Sequence, residues 1–282
     1  MSYKTILVHV DKSKHSADRV KLAAEIALNE DAHLIGAAPT GVSRYIYQAG
    51  MLGDGAGFTA HLEAHMEVLR QQGKEALQEF EKTVQRMGIN SFESHLVDDE
   101  AGAGVSLQAH YSDLVVIGQT DLEDPSPATL PDFPEYVVIN SGRPVMIVPY
   151  AGHFDTVGKR VLVAWDASTS ATRAVTAAIP LLKRADIVEV LVFNADDQGD
   201  AHGEQPGADI ALYLARHNIK VNVVRQKSKI DIGNALLSAA TDFASDLIVM
   251  GGYGHTRFRE ILLGGVTRTV LESMTVPVLM AH

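Results

Sequence analysis

The sequence contains no cysteine among its 282 residues, which excludes disulfides, thiolate metal sites and cysteine-based catalysis. It also lacks a long apolar run. The N-terminal stretch MSYKTILVHVDKS is far shorter in its apolar part than a secretion-signal core or a membrane span, and no later segment reaches the required length. We therefore expect a soluble, cytoplasmic protein with no membrane partner.

Positive charge is scarce. The chain has 35 acidic residues against 24 Lys and Arg, a formal net charge of -11. A protein whose main partner is nucleic acid needs a basic face to neutralise phosphates, so this balance argues against such a partner. It leaves room for a small polyanion held at one local site.

Familiar catalytic motifs are missing as well. The chain has no Walker A loop G-x-x-x-x-G-K-[ST], no dinucleotide pattern G-x-G-x-x-G and no nucleophile elbow G-x-S-x-G. No acid–base pair or activated nucleophile stands out, so we predict no catalytic residue.

The sequence does contain an internal repeat. KTILVHVD near the N-terminus returns as KRVLVAWD, SDLVVIG at 112–118 returns as SDLIVMG at 245–251, and GRPVMIVP returns as TVPVLMAH. The length and the hydrophobic fraction of 46% suffice for two packed cores. We predict two domains, 1–150 and 158–282.

Each repeat is predicted to be α/β, because apolar β-branched runs alternate with segments of helical periodicity. The predicted strands are 4–10, 33–38, 92–97, 114–117 and 145–148 in the first repeat, and 160–165, 187–193, 220–225, 247–250 and 277–280 in the second. In such doubly wound sheets, ligands bind at the carboxyl ends of the strands, where the strand order reverses.

The most informative stretch is GGYGHTRFREILLGGVT, residues 251–267. It places five glycines between the apolar run DLIVM and a helical-looking segment. Glycine permits positive φ and close approach of a ligand to the main chain, and the N–H groups at the start of a helix carry partial positive charge. The pattern predicts an anion site, most simply for phosphate.

This stretch resembles the signature G-x2-G-x9-G-[ST] of the universal stress protein family, in the branch whose members bind ATP. Gly265 departs from it, since the family usually carries Ser or Thr there. The resemblance covers both repeats. It implies two tandem, doubly wound, five-stranded parallel sheets with strand order 3-2-1-4-5, paired as a dimer within one chain, and it is compatible with a homodimer of chains.

The resemblance also implies the residues that bind an adenine nucleotide (ATP, ADP or AMP, with Mg²⁺ as a companion). The adenine and ribose end would comprise Ala164, Trp165 and Asp166, with Phe193 or Asn194 closing the pocket. The phosphate end would comprise Met250, Gly251, Gly252, Gly254, His255, Gly264, Gly265, Val266 and Thr267.

Plainer readings stay open for several of these residues. Asp11 and Asp166 precede Ser13 and Ser168, which suit helix N-caps, so each aspartate would then only complement a helix dipole. Trp165 would be core packing, and His255 a solvated loop residue.

The first repeat lacks the glycine-rich stretch that follows the fourth strand of the second repeat. Gly118 is followed by QTDLEDPSPATLPDFPEY, which has five acids, four prolines and no Lys or Arg. This stretch would repel a polyphosphate and offer few N–H donors, whereas the second repeat has Arg257, Arg259 and Arg268. We predict nucleotide binding in the second repeat alone.

Two further features of the first repeat are less specific. The glycine-rich stretch 50–57 is either a lid or a surface loop. His61 and His65 stand four residues apart on a predicted helix, but the Glu that zinc peptidases carry after the first His is absent, so no metal site is predicted.

Three functional hypotheses follow. The first is an ATP-binding regulatory stress protein whose nucleotide acts as a switch or is hydrolysed slowly. The second, favoured by Gly265, is a nucleotide-free interaction or chaperone-like module. The third is a hydrolase of adenine nucleotides.

Overall fold

The computed structural model describes residues 2–41, 56–124, 129–154, 156–195, 205–253 and 265–282. In the first repeat the described strands are β1 (Thr5–His9), β2 (His33–Pro39), β3 (Phe92–Val97), β4 (Leu114–Gly118) and β5 (Val145–Val148). The helices are α1 (Ser16–Glu30), α2 (Ala56–Arg86), α3 (Ala101–Ala109) and α4 (Phe133–Asn140).

The second repeat alternates in the same way. Its described strands are β6 (Arg160–Ala164), β7 (Ile187–Phe193), β8 (Asn222–Gln226), β9 (Leu247–Gly251) and β10 (Val278–Ala281). The helices are α5 (Thr169–Leu182), α6 (Ala208–Arg216), α7 (Ile232–Asp242) and α8 (Gly265–Ser273). All ten predicted strands are confirmed, with their ends displaced by at most two residues.

The strands form at the continuous apolar runs of the sequence, as predicted. Ile6, Leu7 and Val8 of β1 are all fully buried, although successive side chains of a strand point to opposite faces. Burial on both faces is typical of parallel strands covered by helices on each side.

Residues Tyr3–Arg143 form one compact unit. Its strands lie in the order β3-β2-β1-β4, and the three pairs are parallel. The helical periodicity read between β2 and β3 is confirmed by α2, where Leu69, Leu77, Phe80 and Val84 are buried. Of the glycine-rich stretch 50–57, residues 50–55 lie outside the described residues.

The other compact unit includes Pro144–His282. Its strand order is β5-β10-β9-β6-β7-β8, so the five strands of the second repeat have the predicted order 3-2-1-4-5. Strand β5 comes from the end of the first repeat. It pairs antiparallel with β10, with Val278 opposite Ile147 and Met280 opposite Val145. The predicted association of the two repeats thus includes a direct pairing of their last strands.

No helix in the described parts of the chain is both long and apolar enough to cross a membrane.

Candidate functional site

The centre of the candidate site is the carboxyl end of β6 in the second repeat. Strand β6 lies between β7 and β9, where the strand order reverses. The Trp165 N–H donates to the Leu191 carbonyl at 2.9 Å, which continues the β7 register beyond Ala164. Ala164 and Trp165 are half-buried and Asp166 is exposed. The structure therefore brings these three predicted residues to the ligand-binding edge of a doubly wound sheet.

Helix α5 begins directly after this turn. Ser168 is its N-cap, and the Ser168 hydroxyl accepts from the Ala171 N–H at 3.1 Å. Asp166 Oδ1 accepts from the Ser168 N–H at 3.0 Å. The predicted capping by Ser168 is confirmed, and the Asp166 carboxylate is both held by the turn and open to solvent.

Strand β7 contributes the next two predicted residues. Phe193 ends the strand and is buried, with 8% of its surface exposed. Asn194 has a left-handed φ of 48°. Its amide oxygen accepts from the Ser228 N–H at 2.9 Å, and its amide nitrogen donates to the Ser228 carbonyl at 3.2 Å. Both polar groups of Asn194 therefore join β7 to the segment after β8, a role that its sequence position did not predict.

The end of β9 lies against the first turn of α5. A Cβ on Gly251 would lie 2.6 Å from both the Ala171 nitrogen and the Ser170 hydroxyl oxygen. Only glycine allows this approach without displacement of the backbone. Met250 before it is buried, and the Gly252 N–H donates to the Ala281 carbonyl at 2.9 Å.

Helix α8 closes the candidate site from the far end of the glycine stretch. It begins at Gly265, followed by the half-buried Val266 and the buried Thr267. The Thr267 hydroxyl accepts from the Tyr253 N–H at 3.4 Å, which joins the two described flanks of the stretch. Gly254, His255 and Gly264 lie outside the described residues.

The corresponding place in the first repeat contains a buried ion pair. Arg19 of α1 is 3% exposed, and its guanidinium donates to the His9 carbonyl at 2.7 Å and to Asp11 Oδ1 at 2.9 Å. Burial by itself would raise the pKa of Asp11. The charges of Arg19 and His9 and the hydrogen bonds from Ser13 and Arg19 outweigh it and hold the pKa of Asp11 well below its usual range. Sequence reasoning missed Arg19, since a charged helix residue is expected on the surface.

The predicted capping by Ser13 is wrong. The N-cap of α1 is His15, which makes no side-chain cap. The Ser13 N–H and hydroxyl instead both donate to Asp11 Oδ1, at 3.2 and 2.7 Å. A carboxylate buried beside the sheet is costly without such donors, and the Ser13 hydroxyl therefore pairs with Asp11 rather than with the start of α1.

The acidic stretch after β4 folds onto the start of α1. Asp121 Oδ2 lies 3.4 Å from Lys14 Nζ and 3.3 Å from His15 Nε2. The Thr120 hydroxyl donates to the Pro131 carbonyl at 3.0 Å. The carboxyl edge of the first repeat is thus lined by its own charged residues.

Metal ligands do not cluster in the described part of the chain, where no group of three or more His, Asp or Glu side chains is placed to hold an ion. The His61 side chain lies outside that part.

Comparison with known proteins decides the family. The model of the universal stress protein family matches residues 2–149 and again residues 158–282. The chain belongs to the universal stress protein family. The universal stress protein Slr1230 of Synechocystis sp. (strain ATCC 27184 / PCC 6803 / Kazusa) is 27% identical over 147 residues, which cover 51% of this chain. The match spans about half of the length of that relative, 49%.

Solved structures share the fold across nearly the whole chain. A universal stress protein from Archaeoglobus fulgidus DSM 4304 is similar with a TM-score of 0.71 and 17% identity, over 98% of this chain and 97% of that one. A functionally unknown protein from Pseudomonas aeruginosa PAO1 is similar with a TM-score of 0.63 and 14% identity, over 98% of this chain and 92% of that one.

The two universal stress repeats differ where their first strands end. Alignment of VHVDKSKHSADRV with VAWDASTSATRAV places His9 opposite Ala164 and Arg19 opposite Ala174. Both repeats keep the aspartate, Asp11 or Asp166. In the first repeat the aspartate is buried beside Arg19, whereas in the second it is exposed.

Proposed function

We propose that the second repeat binds one adenine nucleotide, foremost ATP, as a regulatory ligand that acts as a switch or is hydrolysed slowly. The observation that carries this proposal is the open carboxyl edge of β6. Alanine occupies the two positions where the first repeat has His9 and Arg19, and Asp166 keeps its carboxylate exposed.

The described residues suit the parts of a nucleotide. The Asp166 carboxylate accepts hydrogen bonds from ribose hydroxyls, and Ala164 leaves space for the base beside Trp165. Gly251 lets the end of β9 approach the start of α5 closely. The first turn of α8 offers N–H groups with partial positive charge to phosphate oxygens.

The Gly265 position weakens the phosphate end without removing it. Glycine supplies no hydroxyl, and a hydrogen bond to a charged group contributes roughly 1.5 to 3 kcal/mol. Thr267 lies two residues further along the same turn, and its hydroxyl already accepts from the Tyr253 N–H and keeps its own proton for donation. A bound Mg²⁺ would share the phosphate charge.

Calorimetry with ATP and Mg²⁺ tests this proposal. We expect one site per chain, weakened about tenfold or more in Asp166→Asn because the ribose acceptor loses its charge. Asp186→Asn is the matched control, since Asp186 precedes β7 at the opposite edge of the sheet. Two equivalent sites per chain, or equal affinities in both variants, would contradict the proposal.

A Gly265→Ser variant tests the phosphate end. The restored hydroxyl should tighten ATP binding by about one to two powers of ten, and AMP binding much less. Mass spectrometry of nucleotides released on denaturation and analysis of products after incubation with ATP separate the switch from a hydrolase. If neither protein binds an adenine nucleotide at millimolar concentration, the nucleotide-free interaction module replaces the proposal.

A further inference from the structure

The first repeat contains a cavity of about 80 Å³ at the carboxyl ends of β1 and β4. Its inner lining includes His9, Asp11, Arg19, Leu130, Pro131 and Phe133. All of these residues belong to the compact unit Tyr3–Arg143. A water needs roughly 10–15 Å³ of such volume, so this cavity has room for several waters or for a small organic molecule.

An unpaired imidazole lines this cavity. The His9 side chain is 1% exposed, and neither Nδ1 nor Nε2 has a hydrogen-bond partner among the described residues. Leaving a buried donor or acceptor unpaired lowers the stability of the folded protein. The protein therefore keeps hydrogen-bonding capacity beside the cavity at the expense of stability.

The unpaired imidazole is neutral near pH 7. Burial, aided by the charge of Arg19 and opposed by that of Asp11, lowers the pKa of His9 to about 4. A neutral imidazole presents one N–H donor and one nitrogen acceptor. A molecule that satisfies both must itself carry an acceptor and a donor.

The charges around the cavity are already engaged with one another. Asp11 is paired with Arg19, and Asp121 is paired with Lys14. An incoming anion would meet the carboxylates of Asp11, Asp121 and Asp124, and an incoming cation would find those carboxylates already paired with Arg19 and Lys14. Either ion would be desolvated without a free counter-charge, which is costly.

Apolar side chains form one wall of the cavity, beside the polar side chains of Ser13, Gln119, Thr120 and Thr129. The Phe133 ring lies 4.8 Å from the His9 ring, centroid to centroid. Leu122 and Leu130 line the same cavity and are 75% and 55% exposed. Pockets for small molecules combine such apolar walls with a few polar groups that fix orientation.

We propose that this cavity binds a small uncharged molecule that carries both a donor and an acceptor, the chemistry of a primary amide, which pairs with one ring nitrogen of His9 and lies against Phe133. The site excludes a nucleotide, since the guanidinium of Arg19 lies against Gly118 and the loop beyond is acidic. The inference is independent of nucleotide binding by the second repeat.

Three probes of nearly identical shape test the proposal on the whole chain: benzamide, which is neutral; benzoate, an anion; and benzamidine, a cation. The readout is the ring ¹⁵N resonance of His9 in histidine-labelled protein at pH 7.5. About nine heavy atoms at moderate ligand efficiency correspond to a Kd of about 1 mM. We expect benzamide to shift this resonance saturably, with benzoate and benzamidine at least about tenfold weaker.

A His9→Phe variant removes the hydrogen bonds and keeps an apolar ring, so benzamide binding by calorimetry should be lost. The exposed His110, changed to Phe, is the control and should retain it. The labelled native protein gives a decisive result even if His9→Phe fails to fold. Equal binding of all three probes, preference for either ion, or no shift of His9 with any probe overturns the proposal, as does unchanged benzamide binding by a folded His9→Phe variant.

Discussion

At the scale of single residues, Arg19 most changes the picture of the first repeat. It is an arginine on a helix that faces the sheet, and its guanidinium holds the end of β1 through the His9 carbonyl and Asp11. Removal of one partner from a buried pair leaves an uncompensated charge, which costs far more than the pair itself contributes.

Replacement of Arg19 by Met should therefore lower the free energy of unfolding by about 3–5 kcal/mol, as measured by urea denaturation. The Lys14→Met control removes a cation that is 59% exposed and should change the stability far less, because solvent screens an exposed ion pair. The double variant Arg19→Met, Asp11→Asn should recover part of the loss, because no buried charge is then unpaired. A loss below about 1 kcal/mol in Arg19→Met would contradict this account of the pair.

His9 should also give the protein a pH-dependent stability. Its pKa is lowered from 6.5 to about 4 in the folded state, chiefly by burial. The unfolded chain therefore takes up a proton between pH 6.5 and 4 that the folded chain does not. The contribution of neutral His9 is complete above pH 6.5 and is lost as the pH falls towards 4.

Urea denaturation at pH 7.5 and at pH 5 measures this effect. His9 should account for about 2 kcal/mol of the stability lost between these pH values, and His9→Phe should lack that part. The other histidines are common to both proteins, so the difference isolates His9. The pKa of Asp11 is displaced downward, so its own contribution is lost only below its unfolded pKa of about 3.9, outside this range. Parallel pH profiles for the two proteins would refute the assignment.

At the scale of elements, the junction between β9 and α5 depends on one glycine. Gly251 has no space for a Cβ beside Ala171 and Ser170, whereas a Cβ on Gly265 at the start of α8 meets nothing within 4 Å among the described residues beyond its own neighbours in the helix. The two glycines of this sequence stretch thus differ in whether a side chain can be added at their position.

The pair Gly251→Ala and Gly265→Ala tests this difference by thermal and urea unfolding. Gly251→Ala should cost about 1–3 kcal/mol, because the end of β9 must move away from α5. Gly265→Ala should be neutral or stabilising by up to about 1 kcal/mol, since it reduces the freedom of the unfolded chain at an unstrained position. Equal effects would mean that the close approach at Gly251 is relieved without cost.

At the scale of the whole molecule, β5 belongs to the first repeat in sequence and to the compact unit Pro144–His282 in structure. It covers the β10 edge through the Ile147, Met146 and Val145 register. An apolar strand without this partner would present an unpaired edge, which promotes association.

Fragment 158–282 lacks β5 and exposes the VLM edge, so it should self-associate in light scattering, whereas the whole chain, in which β5 covers that edge, is the control. Met280→Lys in fragment 158–282 is a further check, because an edge charge should reduce the association. A monomeric 158–282 fragment at moderate concentration would show that the β10 edge needs no partner.

The sequence by itself determined the repeat, the α/β class and the positions of the strands. These follow from local periodicity and from continuous apolar runs. In β1, for example, the consecutive apolar residues Ile6, Leu7 and Val8 predict a strand buried on both faces, and all three are fully buried. It also placed Asp166 at the carboxyl edge of the sheet, since parallel strands end at a common edge, and the resemblance to the family added Ala164 and Trp165.

Only the tertiary structure decided which charged and polar groups pair with one another at the carboxyl edges of the sheet. Arg19 reads as a surface residue in sequence, and only the packing of α1 against β1 and β4 turns it towards Asp11 and away from water. Ser13 reads as a helix cap, yet the buried carboxylate takes its hydroxyl. Strand β5 belongs to the compact unit of the second repeat because it pairs with β10, which is far away in the sequence. Local patterns carry information on burial and periodicity, whereas the pairing of charges and edges depends on which distant residues the fold brings within a few ångströms.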